Sequence, residues 1–410
     1  MTAATTCGRR TAIPPGGRRR MLLDVGEDLA THAQTHGARG HSGPALIDEI
    51  AAAGLTGRGG AAFPVADKMA VARDAMTRGR AAVVIANGAE GEPLSRKDAV
   101  LLAQAPHLVL DGLSAVAAAV GATDTYICVP DSSVAAVESV VRQRVDAGWD
   151  VAVPQVVAAP DRFVAGETTA VVDRIAGGPG LPADRRVPTA VSGLRGRPTV
   201  VHNVETLAHI AVIARHGAAW FRDRGTDAES GSMLVTVSSD RGIRGVAECD
   251  LGAPLAAFVE PGAHAVLVGG YHGTWIAGGE VDSLALSARS LRAVGAAPGA
   301  GIVHSLSPGT CGLEATAEIV DHLAGQSAGQ CGPCMFGLPA LAQAFRALSA
   351  GGGPESADRV ARLASTVDGR GACAHPDGTA RLVRSALRVF ADDIAAHARG
   401  RCRSTRGGRG

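Results

Sequence analysis

Apolar and polar positions along this 410-residue chain change period from block to block, and each block predicts a different element. PALIDEIAAAGL (44–55) carries apolar residues at helical spacing and predicts a short amphipathic helix, while AAVVIAN (81–87) is a continuous apolar run that predicts a buried strand. SRKDAVLLAQ and PHLVLDGLSAVAAAV predict two helices parted at Pro106. TYICVP (125–130) predicts a strand, DSSVAAVESVVRQRVDAG a helix opened by an Asp/Ser N-cap, and VAVPQVVAA (151–159) a further strand. Strands alternating with helices predict an α/β fold, a Rossmann-like domain whose mostly parallel sheet is covered by helices on its faces.

The texture changes after the GTDAESGS loop (225–232). SMLVTVSS, GVAECDLGAPLAAFV and AVLVGGYHGTWIAG are short β-rich pieces between glycine turns, as in a small α+β domain. From about residue 306 the pattern turns helical, with GLEATAEIVDHLAG, LPALAQAFRALSAG, SADRVARLASTVDG and GTARLVRSALRVFADDIAAHA predicting a small antiparallel bundle of four segments. The expected organisation is a flexible arm at 1–40, domains at 41–228, 229–305 and 306–398, and a disordered tail at 399–410. Cys402 sits in that tail and is given no ligand role.

Composition narrows the functions available. Apolar residues make up 46% of the chain but aromatic ones only 3%, so the core must be built from Ala, Val and Leu. A formal net charge of +1 supplies no field to attract nucleic acid or an anionic membrane surface as the main partner. The N-terminal Arg clusters lack the apolar run of an export signal, and the longest apolar stretches are too short or too interrupted to insert in a bilayer, so the expected location is cytoplasmic. Eight scattered cysteines do not form a secreted disulfide framework; each is buried, incidental or metal-binding.

Four loops carry candidate chemistry. In GLTGRGGAAFPVADK (54–68), Gly57, Gly59 and Gly60 free the backbone to present N–H groups to an anion, and Arg58 adds charge; the plain alternative is a glycine turn with a solvated arginine. NGAEGEP (87–93) follows a predicted buried strand, where parallel sheets bind ligands, and offers Asn87, Glu90 and Glu92; the plain alternative is a polar surface turn. RFVAGETTAVVDRI (162–175) places Gly-Glu before a helix. RPTVVHNVETLAHI (197–210) puts His202, Asn203 and Thr206 at a strand-to-helix junction, where Asn203 serves equally well as a helix cap. A fifth loop, QSAGQCGPCMFGLP (326–339), holds Cys331 and Cys334 as a C-x-x-C pair, too few thiolates for a metal or cluster by themselves.

In this order the loops resemble a known family. G-R-G-G-A-x-F-P, N-x-x-E-x-E-P, G-E-T-x-A, S-G-x-x-G-x-P-T-x-x-x-N-V-E-T-L and the C-x-x-C loop are similar to the NADH-binding flavoprotein subunit of respiratory complex I, and to the flavoprotein subunits of NAD-linked hydrogenases and formate dehydrogenases, over about residues 43 to 380. The resemblance implies an FMN- and NAD(H)-binding domain, a ubiquitin-like β-grasp domain of the soluble-ligand-binding type, and a helical domain with one [4Fe-4S] cluster. It implies that the Gly57–Gly60 loop lies along the flavin and the nicotinamide nucleotide with Phe63 near the adenine. Lys68, Asn87 and Asn203 would hold FMN, and Glu90 and Glu92 would line the pocket. Phe163, Gly166 and Glu167 would close its far side, with His202 and Thr206 flanking the phosphate-contacting turn. The implied function is electron transfer from NAD(P)H through FMN to a ferredoxin-like or other iron-sulfur protein. Such a reaction is carried by its cofactors, so no separate catalytic side chain is nominated.

The chain departs from the family at several positions. Ala89 stands where the family has a carboxylate, and Thr168 replaces the second of two glutamates. Aliphatic residues near Val71 and Val187 replace aromatic ones beside NADH. Ala328 occupies the place of the first cluster cysteine, while GACAHPDG (371–378) supplies Cys373 as a distant ligand, leaving Cys331, Cys334 and Cys373. Since iron-sulfur cubanes normally take four thiolates, three readings stay open: a three-thiolate cluster completed by water, a small ligand or His375; no metal; or zinc held by three Cys and His375. Cys311 reads as a small buried hydrophobe. The losses at Ala89, Thr168 and Ala328 also leave open an alternative of another class, a non-catalytic scaffold acting through protein contacts.

Overall fold

Four strands, β1 (Ala82–Asn87), β2 (Ala122–Pro130), β3 (Gln155–Ala159) and β4 (Thr199–Asn203), pair in parallel in the order β3-β2-β1-β4 in the computed structural model, which describes residues 19–23, 26–40, 42–76, 81–150, 152–184 and 187–402. Residues 82–86 of β1 are wholly buried, as expected of an apolar run covered on both faces. The chain steps from β1 outward to β2 and β3, then crosses back to lay β4 on the other side of β1. That reversal makes the carboxyl ends of β1 and β4 the topological switch point, and Asn87 and Asn203 stand opposite each other there.

The helices of this domain are α1 (Leu29–His36), α2 (Ala45–Ala53), α3 (Val65–Met76), α4 (Lys97–Gln104), α5 (Pro106–Val120), α6 (Asp131–Asp146), α7 (Thr168–Ile175) and α8 (Val204–Arg222). Pro106 opens α5 at its first helical position, where its missing N–H is harmless, and Gly121 closes it in the left-handed conformation. Helices α5 and α8 cross at Gly112, where a Cβ would lie 1.9 Å from the Leu207 carbonyl oxygen; only glycine allows that approach. The core around them is mainly Ala, Val, Leu and Ile, with Met21, Met69 and a single buried phenylalanine, Phe221, as the scarcity of aromatic residues led one to expect.

Three expectations need correction here. Residues 19–40 are not a loose arm: the Arg20, Met21 and Leu22 amides donate to Glu248 Oε2, Met21 is fully buried, and His32 on α1 meets the buried Asp111 carboxylate at 2.8 Å. Residues 1–18 of the expected arm lie outside the described residues. Helix α6 has no side-chain N-cap; Pro130 precedes it and Asp131 is already in its first turn, where a carboxylate complements the helix dipole. Strand β3 begins only at Gln155, because Pro154 has no N–H for the ladder.

The second sheet contains β5 (Ser232–Ser239), β6 (Gly242–Asp250), β7 (Ala265–Val268), β8 (Thr274–Ala277) and β9 (Ile302–Leu306) in the order β6-β5-β9-β7-β8. The parallel pair β5/β9 lies between antiparallel hairpins, which is the β-grasp arrangement. Strand β9 has no counterpart in the hydrophobic pattern, since His304 and Ser305 interrupt a five-residue strand. A short helix, α9 (Ala288–Leu291), precedes it.

The helical domain has α10 (Gly312–Gly325), α11 (Leu338–Ser349), α12 (Pro354–Val367), α13 (His375–Val389) and α14 (Ala391–His397), five helices where four were expected. The extra break falls at Phe390, which turns inward against Trp275, ring centroids 5.3 Å apart, and over Gly312. Among the described residues no single helix is long and apolar enough to cross a membrane; α4 and α5 would qualify only together, and they meet at 95°.

Candidate functional site

The glycine loop lies over the switch point. Gly57 N–H closes it on the Phe63 carbonyl at 2.9 Å, Gly60 adopts φ +106°, and a Cβ on Gly59 would stand 3.4 Å from Asn203 Cβ, so this backbone sits directly on the end of β4. Arg58 does not face the loop mouth. It is buried, donating to the Thr56 and Ser232 carbonyls while its own N–H donates to Thr206 Oγ1, so Arg58 and Thr206 hold the loop from beneath. Phe63 is 52% exposed, and Lys68 on α3 points its Nζ toward that ring, 5.9 Å from the centroid, while donating to the Val201 carbonyl at 3.1 Å. Burial lowers the Lys68 pKa, and no carboxylate pairs with it among the described residues. His202 is buried, its Nε2 has no hydrogen-bond partner among the described residues, and burial followed by the nearby Lys68 charge holds its pKa well below the usual histidine value.

Asn203 caps α8 by accepting from Glu205 N–H at 3.0 Å. Its Oδ1 also accepts from Lys97, and its Nδ2 donates to the Asn87 carbonyl and to Asp98 Oδ2, which fills the hydrogen-bonding capacity of the amide. Asn87 keeps capacity in reserve, since its side chain makes one bond at each end, to Gly166 O (2.9 Å) and from Ala89 N–H (3.1 Å).

The two carboxylates of the second loop are both engaged by protein. Glu90 accepts from Ser95 Oγ and from the Asp98 and Ala99 amides, fastening the start of α4. Glu92 accepts from Leu94 N–H and, at 2.8 Å, from Tyr271 N–H of the β-grasp domain; burial pushes its carboxyl up to about 7. A Cβ on Gly91 would strike the Arg162 carbonyl, and one on Gly166 the Ala89 carbonyl, so the second and third loops interlock. Glu167 caps α7 through the Thr169 and Ala170 amides.

Sequence reasoning missed the buried charges beneath these loops. Lys97 Nζ lies 2.6 Å from Asp98 and 3.0 Å from Glu205, and none of the three is more than 5% exposed at the side chain. Burial pushes the Asp98 carboxyl up, to about 6, against the pull of Lys97; for Glu205, burial is outweighed by Lys97, His209 and Arg58, which hold it near 2. The available signal was three charges at the starts of otherwise apolar helices, a pattern that burial makes expensive unless the charges pair.

The cysteine loop follows α10 and leads through one wide turn, Pro333–Gly337, into α11. Cys331, Cys334 and Cys373 act on one another electrostatically and share a set of backbone N–H donors: Ala372 and Cys334 to Cys331, Gly329 to Cys334, and His375 to Cys373. Burial would raise the Cys331 thiol, but its amide donors outweigh that and lower it; burial and the Cys331 sulfur push Cys334 up to about 11. The third of the candidate loops reaches this group. Phe163 N–H donates to Gln326 Oε1 at 3.1 Å, the Phe163 ring lies 5.5 Å from that of His375, and the Glu167 carboxylate acts on the Cys373 thiol.

His375 is not placed to be a ligand. Its Nε2 lies 2.8 Å from the Leu323 carbonyl and its Nδ1 3.1 Å from His272 Nε2, so both ring nitrogens are committed. The zinc reading from three Cys and His375 fails for the same reason, and these donors do not converge within the reach of a single ion.

Comparison with known proteins agrees with both halves of this arrangement. Residues 50–212 match the family model described as the Nuo51 FMN-binding domain, and residues 314–397 match that of the NADH-ubiquinone oxidoreductase-F iron-sulfur binding region. The chain is 30% identical over 376 residues to the F-type subunit, copy 2, of the NADH-quinone oxidoreductase of Rhizobium meliloti, covering 86% of this chain and 88% of that one. The chain belongs to the family of F-type NADH-quinone oxidoreductase subunits. The F-type subunit of the Streptomyces coelicolor NADH-quinone oxidoreductase is 29% identical, with 87% and 83% of the two chains covered. The crystal structure of an NAD+-reducing [NiFe]-hydrogenase in the H2-reduced state superposes with a TM-score of 0.79 at 29% identity, over 87% of this chain. This chain spans 63% of the length of that hydrogenase chain. In this member of the F-type family one segment, Phe163–Glu167, bonds both to the switch-point Asn87 and to Gln326 of the cysteine loop.

Proposed function

We propose that the chain binds FMN at the switch point, oxidises NADH or NADPH there, and delivers electrons to an iron-sulfur cluster held by Cys331, Cys334 and Cys373. The observation that carries this reading is the shared segment: Gly166 bonds to Asn87 at the switch point, Phe163, three residues before, donates to Gln326 of the cysteine loop, and the Glu167 carboxylate, one after, acts electrostatically on Cys373. FMN in that place supplies acceptance of a hydride from the nicotinamide and release of electrons one at a time.

Three features suit FMN. The Gly57–Gly60 backbone forms an uncluttered cradle, the Lys68 ammonium is desolvated without a carboxylate partner among the described residues, and the His202 Nε2 is buried without a hydrogen bond among them. Lys68 then holds the phosphate, the reserve capacity of Asn87 orients the flavin, and Phe63 offers an exposed ring to an adenine. Asn203, Thr206, Arg58, Glu90 and Glu92 act as positioning residues, since their polar groups already fasten the loops to α4, α8 and the second sheet. Val71 and Val187, 40% and 48% exposed, offer no ring to the nucleotide, so its grip is weaker than an aromatic sandwich provides. For the cluster, three thiols with amide donors fit a three-thiolate site; Ala328 leaves one iron without a cysteine, to be completed by water or a small ligand.

Domain limits after residues 228 and 305 accompany this proposal, with α1 (Leu29–His36) counted in the first domain, as does a cytoplasmic location. The electron acceptor is a ferredoxin-like or other iron-sulfur protein, and Met335 and Phe336, 54% and 71% exposed beside Cys334, offer it an apolar approach. The scaffold reading gains no support from the loops that lost side chains: Ala89 N–H still closes its turn on Asn87, and Glu167 still caps α7 ahead of Thr168. The test is the visible spectrum of the FMN-loaded chain under anaerobic conditions. Bleaching of the flavin bands on adding NADH or NADPH supports the proposal; no FMN uptake, or no bleaching with either nucleotide, overturns it.

A further inference from the structure

A second group of soft ligands lies at the other end of the helical domain. Cys311 is buried at the N-cap of α10, His397 is the buried last residue of α14, and Cys402 is exposed just beyond it. One donor atom from each falls within 4.8 Å of the others, and among the described residues this is the one set of three His, Cys, Asp or Glu donors that converges so tightly. We propose that Cys311, His397 and Cys402 form a mononuclear metal site for zinc or a similar thiophilic divalent cation, separate from the cluster thiols, that clips the segment after α14 onto the start of α10.

Three observations support it. The first is geometric. A tetrahedral zinc with Zn–S of about 2.3 Å and Zn–N of about 2.0–2.1 Å sets its ligand atoms about 3.5–3.8 Å apart, and Cys311 Sγ already lies 3.4 Å from His397 Nε2. The second is the orientation of the imidazole: His397 Nδ1 lies 2.7 Å from the Ser349 carbonyl at the end of α11, which can only accept. The proton is therefore on Nδ1 and the Nε2 lone pair faces the sulfurs, accepting from the Cys311 thiol, the orientation that metal-binding histidines take from such an outer partner.

The third is the path of the chain. Gly400 N–H donates to the His397 carbonyl and Arg401 N–H to the Ala396 carbonyl, with Gly400 at φ +70°, so backbone bonds turn Cys402 back toward α10. Binding requires only that the two thiol protons leave to solvent; two thiolates then neutralise the divalent ion, and no oxidant is involved. Three protein ligands leave a fourth position, which water fills from the exposed side of Cys402.

The test uses the full-length chain titrated with zinc chloride, with bound zinc counted after removal of free metal. Cobalt(II) serves as a parallel probe, through its thiolate-to-cobalt absorption in protein free of flavin and iron. Wild type is expected to retain a zinc that Cys402→Ser loses, with affinity falling at least tenfold, and Cys331→Ser is expected to retain it. Cys402 is exposed and lies outside every helix and strand, so this variant keeps its fold; Cys311→Ser, checked by circular dichroism, must lose the same zinc. Zinc content unchanged in Cys402→Ser, zinc lost only in Cys331→Ser, or a Cys311–Cys402 disulfide in place of bound metal in chain purified with zinc present would each overturn the proposal. Cys402 belongs to neither the flavin loops nor the cluster thiols of the proposed function, so failure here leaves the proposed electron-transfer function standing.

Discussion

Lys68 and Ala328 show, at the scale of single residues, how far side-chain identity predicts role. Lys68 is desolvated and unpaired with any carboxylate among the described residues, which is unfavourable for a cation unless a ligand anion completes it. Lys68→Met is therefore expected to weaken FMN by about 10- to 150-fold, the equivalent of a charged hydrogen bond of about 1.5–3 kcal/mol, in a fluorescence-quenching titration. An unchanged affinity would place the phosphate elsewhere. Ala328→Cys restores a thiol beside Gly329, and the iron it retains during air exposure should outlast that of wild type by roughly tenfold; equal loss rates would mean that position 328 does not face the cluster. Asn203 was legible as a cap because Asx residues at strand-to-helix junctions accept the free amides. Arg58 was misread as a source of surface charge, since nothing in the sequence says which way a guanidinium turns, and here Thr56, Ser232 and Glu205 draw it inward.

Among elements, the loops do more to join domains than their polar character suggests. Glu92 reaches from the second loop to the Tyr271 amide, and burial raises its carboxyl from an ordinary glutamate value to about 7. A group whose folded-state pKa is raised contributes stability that is full below its unfolded value, about 4.3, and is lost as pH rises through about 7. Glu92→Gln, which mimics the neutral acid, should therefore flatten the fall in melting temperature between pH 5 and pH 8. A parallel fall in variant and wild type would show that Glu92 is ionised throughout. The alternation of strands and helices made β1, β2, β3 and helices α2, α4, α5 and α6 legible, because long apolar periods survive tertiary context, whereas α3 carries no such signal. Strand β9 was not, since its five residues take their strand form from pairing between β5 and β7 rather than from their own pattern. Helix α1 was hidden for a related reason. Its polar LATHAQTH has little apolar periodicity, and its anchor is the His32–Asp111 contact.

For the molecule as a whole, motif order was more informative than composition. The loops implied one site at the switch point and one at the cysteines, but their closeness in space came only from Phe163–Glu167, a segment that bonds to both. Buried pairing is also invisible along a sequence: Asp111 gathers His32, Arg39, Arg144 and Arg215, which against the cost of burial hold its carboxyl far below the usual range. The central claim is that electrons from a reduced nicotinamide reach the thiol trio through the flavin site. Its most direct test is electron paramagnetic resonance of the anaerobically reconstituted chain, in wild type and Cys373→Ser, before and after adding NADH or NADPH. A reduced-cluster signal that grows in wild type, and is absent in the variant while its flavin still bleaches, is the predicted result; an iron-sulfur signal unmoved by either nucleotide in a wild-type chain whose flavin has bleached would contradict it.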